Sequence, residues 1–239
     1  MKVHKKIITI VSVMVVASAA YYFSFKTHGP ELINLKQAVR EFERTHDVNM
    51  LEKHKKQIYN YYTTDAFERN VQNICTQALK HFSYLTVSAT SLIIFDVDDT
   101  AFYNYQWRDD AEFVWRHQPE LIQARETKIA PAIKATLAFY NELKKLGFKT
   151  VFVSSRNQGA YDEYYKNLTQ IGYKDFDTLI LMPDVLAFDK NVKTADWKLE
   201  VRKQLAQEYT IVGGVGDRAT DFKGGYTGYE VKIPNYIFE

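Results

Sequence analysis

Asp96 and Asp98, two carboxylates one residue apart, close the apolar run Leu92-Ile93-Ile94-Phe95. A second acidic pair, Asp217 and Asp221, follows the glycine-rich stretch Gly213-Gly214-Val215-Gly216. Between the pairs lie Ser154-Ser155-Arg156, behind the apolar Val151-Phe152-Val153, and Lys198 in a segment of helical composition. Side chains of these types suit phosphoryl transfer. One carboxylate can attack phosphorus, a second can carry the proton, and others can bind a hard cation. A hydroxyl and an ammonium can hold the phosphoryl oxygens. Electrostatics makes the cation necessary, because two like charges about 4 Å apart repel by about 4 kcal/mol at an effective dielectric near 20. Packed carboxylates therefore accept a phosphate dianion only beside a divalent ion, and oxygen ligands favour Mg2+ over softer metals. Any single Asp after a strand is as readily a turn former or a helix cap. What carries the chemistry is the joint occurrence of all four, in order, with Ser154 and Lys198 between them.

These residues need a scaffold that brings distant segments to one edge. Leu92-Ile93-Ile94-Phe95 is apolar without interruption, as a strand buried on both faces requires. Similar runs at 150–153, 178–181, 209–212 and 229–233 predict four more strands. Helical patterns separate them: one opened by Pro131 and stopped at Gly147, one over 158–171 ending at Gly172, and one over 195–208. Alternation of strand and helix implies right-handed crossovers and a parallel sheet, a Rossmann-like doubly wound α/β fold. Ligands bind such sheets outside the carboxyl ends of the strands, where Asp96, Ser154 and Asp217 stand. Neighbouring strand positions two apart share a face, but the site lies beyond the strand end. Asp96 and Asp98 can both reach it where the chain leaves regular strand geometry at 97 or 98.

Helical material precedes the first strand. Leu32, Leu35, Val39 and Phe42 predict an amphipathic helix over 31–46, and Phe67, Val71, Ile74, Ala78, Leu79 and Phe82 another over 65–86. Asp65 stands at its N-cap position with Glu68 three residues on, the pattern of a capping box. The chain divides into a leader over 1–28, a helical accessory region over 29–90, and a core over 91–239. That core carries a helical insertion at about 101–130, marked by Phe113, Trp115, Leu121 and Ile122.

The bulk numbers narrow the classes. The chain has 239 residues, 46% of them apolar, enough for one sizeable core and a short accessory region. The net charge of +2 is misleading, because Lys2, Lys5, Lys6 and Lys26 all fall in the first 26 residues, where there is no acid. The remainder carries about −2, which argues against a nucleic-acid-binding body. Cys75 is the single cysteine, so an internal disulfide and a multi-cysteine metal site are excluded; its setting is that of a buried small hydrophobe. After the basic start, residues 7–25 run uncharged for roughly 28 Å at about 1.5 Å per helical residue. Two readings follow: a secretory signal cleaved after Ala17-Ser18-Ala19, or an uncleaved anchor with Tyr21-Tyr22-Phe23 in the interface. Either places the remainder outside the cytoplasm, as a periplasmic or secreted protein or one anchored to the membrane.

Asp96-x-Asp98-x-Thr100, Ser154, Lys198, and Gly216-Asp217-Arg218-Ala219-Thr220-Asp221 resemble the four ordered motifs of the haloacid dehalogenase (HAD) superfamily. Val153-Ser154-Ser155-Arg156, Trp197-Lys198-Leu199-Glu200-Val201-Arg202 and the stretch 216–222 narrow the resemblance to its class B-like acid phosphatase group. That group includes bacterial lipoprotein acid phosphatases and plant vegetative storage proteins, and the resemblance spans about residues 90–239. It implies a Mg2+-dependent acid phosphatase acting on phosphate monoesters through an aspartyl-phosphate. Asp96 is then the nucleophile, and Asp98 the proton carrier, also offering its main-chain carbonyl to Mg2+. Asp217 binds the ion directly and Asp221 directly or through water, so the metal set is Asp96, Asp98, Asp217 and Asp221. Ser154, with Ser155 as rival, and Lys198, with Lys193 as rival, hold the phosphate. Arg156 joins them on the substrate side, and Arg156 and Arg218 support the site from behind. Asp99 is a bystander and Thr100 a helix-start hydrogen-bonder. The lipid-attachment cysteine of the lipoprotein members is missing. A non-catalytic storage or ligand-binding relative and a phosphotransferase are the alternatives. Tyr103, Tyr105, Trp107 and Trp115 either line the entrance, where they could stack the base of a nucleoside monophosphate, or form core of the accessory helices.

Overall fold

In a computed structural model, whose described residues are 32–105 and 130–238, one parallel sheet carries the candidate residues on its carboxyl edge. Its strands are β1 (Ser91–Phe95), β2 (Lys149–Asn157), β3 (Thr178–Met182), β4 (Thr210–Gly216) and β5 (Tyr229–Lys232), in the order β3-β2-β1-β4-β5. Every neighbouring pair is parallel. The connections that crossovers demand are helical: α4 (Lys134–Lys145) before β2, α5 (Tyr161–Gln170) before β3, and α6 (Asp184–Ala187) and α7 (Thr194–Leu205) before β4. Three helices precede the sheet: α1 (Leu35–Thr45), α2 (Val48–Thr63) and α3 (Ala66–Ser83). The α/β doubly wound architecture is the one the alternation of elements predicts.

β1 is buried at all five positions because both faces of the central strand are covered. Leu92 and Ile94 pack with Val151, Val153 and Met182 against Trp197 and Val201 of α7. Phe95 meets Phe139 and Tyr140 of α4, and Phe82 of α3 meets Phe139 and Phe148. Full burial of each such side chain contributes about 1.5–3 kcal/mol. Gly213 on β4 admits the α3 ring: a Cβ there would stand 2.4 Å from the Phe82 ring.

Several local expectations give way to tertiary contacts. β2 extends to Asn157, with a register shift against β3 between Ser154 and Asn157, so Ser154 lies inside the strand rather than at its end. The helix expected to open at Pro131 starts at Lys134, with Ile133 in the N-cap position. Its first amides, of Lys134 and Ala135, donate to the carboxylate of Glu68 at 3.0 and 3.1 Å. Glu68 therefore caps α4 from α3 instead of closing a box with Asp65, whose carboxylate pairs with Arg69. On α1 the buried position is Ala38, while Val39 is 39% exposed. The second helix, α2, capped by Asp47 on Met50, escapes a reading of aliphatic spacing because its buried face ends in Ile58, Tyr61 and Tyr62 amid lysines. From Ile33 on, the described residues form one compact unit, so α1–α3 join the sheet in a single body. Among the described residues no helix is long and apolar enough to cross a membrane. The leader over 1–28 and the insertion residues Phe113, Trp115, Leu121 and Ile122 lie outside the described residues.

Candidate active site

The chain does leave strand geometry after Asp96. Asp96 is the last residue tied to β4, its amide donating to the Val215 carbonyl at 2.8 Å. The Val97 carbonyl then accepts from the amides of Ala101 and Phe102, both at 2.9 Å, and Asp99 takes φ +60°. This tight turn is what lets Asp96 and Asp98 sit at the same edge, as their spacing requires.

Asp96 and Lys198 form a buried ion pair, and the Lys198 ammonium also reaches Asp221 Oδ1 at 2.6 Å. Carboxylate oxygens of Asp96, Asp217 and Asp221 all lie within 4.8 Å of one another. Asp221 comes this close because residue 216 is glycine: a Cβ there would stand 2.4 Å from Asp221 Oδ2. The same Oδ2 accepts the Arg218 amide at 2.8 Å. Behind the pair, the buried Arg202 guanidinium donates to the main-chain carbonyls of Asp221, Lys223 and Gly225. Asp217 is 1% exposed; its carboxylate accepts from Thr100 Oγ1 at 3.3 Å and from Asn235 Nδ2.

Asp98 is held differently. Arg156 forks onto it, Nε to Oδ2 at 3.1 Å and Nη2 to Oδ1 at 3.4 Å. The Tyr164 hydroxyl donates to both oxygens at 3.1 and 3.2 Å, and Asn104 Nδ2 to Oδ1 at 3.1 Å. Ser154 Oγ lies 3.5 Å from Oδ2 and accepts the Arg156 amide at 3.2 Å.

Burial dominates the electrostatics of the acidic cluster. It pushes the Asp96 carboxyl up to about 7, against the opposing pull of Lys198 and with Asp221 and Asp98 adding to the rise. Burial likewise raises Asp217 well above the usual range, helped by Asp96, Asp99 and Asp221. Lys198 is raised as well: burial disfavours its charge, but Asp96 and Asp221 overcome that and hold the proton on it. These directions describe one shortage. The Lys198 ammonium pairs with Asp96 and Asp221 while Asp217 lies close by, so the ammonium keeps its proton and Asp96 and Asp217 resist losing theirs. A divalent cation relieves that shortage, and the hard oxygen donor set of Asp96, Asp217 and Asp221 fits Mg2+.

The sequence-predicted residues thus converge, with refinements. Ser154 is buried and turned to Asp98, while Ser155 is exposed; Lys198 is buried in the cluster, while Lys193 is exposed at the start of α7. The Arg156 guanidinium is engaged with Asp98. Arg218 is exposed, its guanidinium 5.6 Å above the Phe238 ring, so only its main chain serves the site. Thr100 is no helix-start bonder; its hydroxyl links the first motif to Asp217. Tyr105 stacks on Tyr62 at 4.5 Å and the Tyr103 hydroxyl donates to the Tyr62 carbonyl, which sets both against the accessory helices, Tyr105 buried and Tyr103 half-buried. Trp107 and Trp115 lie outside the described residues. Sequence reasoning missed Tyr164, Asn104 and Asn235. Asn235 alone had a signal, its place just beyond the carboxyl end of β5.

Comparison with known proteins agrees with this geometry. A family model described as HAD superfamily, subfamily IIIB (acid phosphatase) matches residues 33–239. Acid phosphatase 1 of Solanum lycopersicum is 32% identical over 150 residues, 61% of this chain and 57% of that protein, so the match spans little more than half of the relative. A stem 31 kDa glycoprotein of Glycine max is 28% identical over 187 residues, 75% of this chain and 71% of its own length. Vegetative storage protein 1 of Arabidopsis thaliana is 28% identical over 154 residues, 61% of this chain and 54% of its own. Among solved structures, the class C acid phosphatase from Bacillus anthracis superposes with a TM-score of 0.60 at 17% identity, over 77% of this chain and 85% of that one. The same enzyme with tungstate bound gives 0.58. At that identity the likeness is one of fold. The family match takes in α1–α3, about 60 residues ahead of where the motif resemblance starts.

Proposed function

The chain belongs to the HAD superfamily, subfamily IIIB, the acid phosphatases, and from that membership we propose that it hydrolyses small phosphate monoesters through an aspartyl-phosphate on Asp96, in a site that binds one Mg2+ ion. The observation that carries this reading is the cluster of Asp96, Asp217 and Asp221, three carboxylates within 4.8 Å of one another, two of them, Asp96 and Asp221, paired with the Lys198 ammonium.

In the first half-reaction an Asp96 oxygen bonds to phosphorus as the bond to the leaving oxygen breaks, and that oxygen takes the proton carried by Asp98. In the second, Asp98 takes a proton from water as the water oxygen attacks phosphorus, which frees orthophosphate and restores the Asp96 carboxylate. Arg156, Tyr164 and Asn104 hold Asp98 in one orientation through this exchange. Lys198, already on Asp96, steadies the charge of the phosphoryl oxygens in both halves. Asp96, Asp217 and Asp221, with the Asp98 main-chain carbonyl, would hold the ion, which supplies positive charge to the same oxygens when bound. Ser154 donates to a phosphoryl oxygen once substrate draws it from Asp98. Tungstate, bound by the Bacillus anthracis relative, is a tetrahedral oxyanion like phosphate and supports an oxyanion ligand here.

The storage-protein name of the Arabidopsis relative keeps a non-catalytic reading in play. One assay separates the two: p-nitrophenyl phosphate hydrolysis with Mg2+, with EDTA, and by Asp96→Asn. Turnover lost in both of the latter is expected. Turnover surviving both would overturn the mechanism, and no turnover by the parent would favour storage. We also propose export through residues 1–28, which N-terminal sequencing of the exported protein tests. A preference for nucleoside monophosphates is tested by comparing AMP with glycerol phosphate, and equal turnover would sink it.

A further inference from the structure

We infer that Asn235 is a positioning residue for the cation site, acting through Asp217, and that the C-terminal segment 233–238 is part of the active site. The inference rests on the cation-dependent reading above.

Asn235 is 6% exposed, and its amide orientation is fixed by its neighbours. The main-chain amides of Ile237 and Phe238 both donate to Asn235 Oδ1, at 3.0 and 3.2 Å. A main-chain N–H can only donate, so that side of the amide is the oxygen and the NH2 faces Asp217 Oδ2. On the other carboxylate oxygen the donor is the Thr100 hydroxyl. Both donors are neutral, in contrast to Asp98, where a guanidinium meets the carboxylate. A neutral donor sets the angle of Asp217 while leaving its negative charge for a cation. Lys232, the nearby ammonium, bonds the Asp217 main-chain carbonyl.

Asn235 is in turn held by the helices that precede the sheet. The Tyr236 amide donates to the Tyr62 hydroxyl of α2 at 3.0 Å, and the Tyr236 carbonyl accepts the Leu35 amide of α1 at 2.7 Å. Tyr61 meets the Tyr236 ring edge-on at 4.9 Å. The helical region therefore reaches Asp217 through a two-residue relay, Tyr236 and Asn235. The helices thus anchor the tail that carries Asn235, and no residue of α1 or α2 enters the cluster.

The test titrates the metal-stripped full chain with Mg2+ alone, by calorimetry, in the parent, Asn235→Ala, Asn235→Ser and Tyr62→Phe. Serine keeps an acceptor for the tail amides but has no amide donor, so it serves if the alanine variant does not fold. Tyr62→Phe loosens the tail and leaves Asn235 in place. The expected result is a Kd for Mg2+ weakened about 10–100-fold in the Asn235 variants, with Tyr62→Phe within about twofold of the parent. A folded Asn235→Ser that binds Mg2+ within about twofold of the parent overturns the inference. So does an equal loss in Tyr62→Phe, which would make the effect one of tail order. A parent that binds no Mg2+ overturns the cation reading itself, a result distinct from the other two.

Discussion

Lys198 and Arg202 stand one turn apart on α7 and hold the same residue, Asp221, by different parts. The Lys198 ammonium takes the carboxylate at 2.6 Å, and Arg202 Nη1 takes the main-chain carbonyl at 2.7 Å. Because Lys198 also holds Asp96, one rigid helix sets how far the third motif's lysine keeps the first motif's aspartate from the fourth's. The loop that Arg202 ties down turns at Gly224 and Gly225, with φ +91° and +85°, and so presents its carbonyls inward.

Arg202→Met leaves three main-chain carbonyls without their donor. Asp221 is half-buried and Lys223 and Gly225 are exposed, so water can reach these carbonyls and each lost bond costs about 0.5–1.5 kcal/mol; unfolding in urea should show a loss of roughly 1.5–4.5 kcal/mol. Arg202→Lys, which offers a point charge in place of a fork, should recover less than half of it. Stability equal to the parent in the methionine variant would mean that water replaces the guanidinium.

The raised Asp96 carboxyl gives the metal-free protein a distinctive pH profile. Its ordinary value in an unfolded chain is about 3.9, against about 7 in the fold. Between those values the folded state holds more protons than the unfolded one, so stability falls as pH rises through that window. The metal-free protein should melt at a lower temperature at pH 8 than at pH 5, and Mg2+ should restore the difference at pH 8. Asp96→Asn should flatten the profile. Calorimetry in two buffers of different ionisation enthalpy should also show protons released on Mg2+ binding, most of them below pH 7. A melting temperature that rises from pH 5 to 8 without metal would contradict the assignment.

The sheet was legible because its strands are apolar runs with a uniform rhythm, and strand ends locate a site wherever crossovers are parallel. Asp96 and Asp217 are visible for that reason, while Ser154, Lys198 and Asp221 are visible by their order and spacing relative to them. What escaped depends on contacts through space. Tyr164 and Asn104 reach Asp98 from a helix face and a turn whose local patterns say nothing of a carboxylate, and Asn235 reaches Asp217 from the tail after β5. Glu68 shows the same limit in reverse. Its spacing from Asp65 matches a local cap, yet the amides it satisfies belong to a helix 66 residues further on. Val39 fails because α1 buries a small residue, Ala38, where the pattern points to the larger neighbour.

Tyr164 shares Asp98 with Arg156, so removing its hydroxyl should loosen the carboxyl without stranding it. Tyr164→Phe forfeits about 1 kcal/mol of hydrogen bonding, and kcat should fall about fivefold with KM unchanged. Arg156→Met removes the forked guanidinium from the carboxylate and should cost more, about a hundredfold in kcat. Steady-state kinetics on p-nitrophenyl phosphate distinguish the outcomes. A rise in KM alone for Tyr164→Phe would place the hydroxyl on substrate instead of on Asp98.

Glu68 offers the opposite case, a residue central to the fold and remote from the chemistry. Both of its oxygens bind amides at the start of α4, where the helix dipole also favours a negative charge. Loss of such a cap costs about 0.5–2 kcal/mol. Glu68→Ala should therefore lower the melting temperature by roughly 2–4 °C per kcal/mol for a domain of this size. Glu68→Gln keeps one acceptor and should lose about half as much. Turnover per folded molecule should be unchanged in both variants. Because α4 packs beneath Phe95 and ends one loop before β2, a fall in turnover would show instead that the α4 cap governs the placement of Asp96 or Ser154.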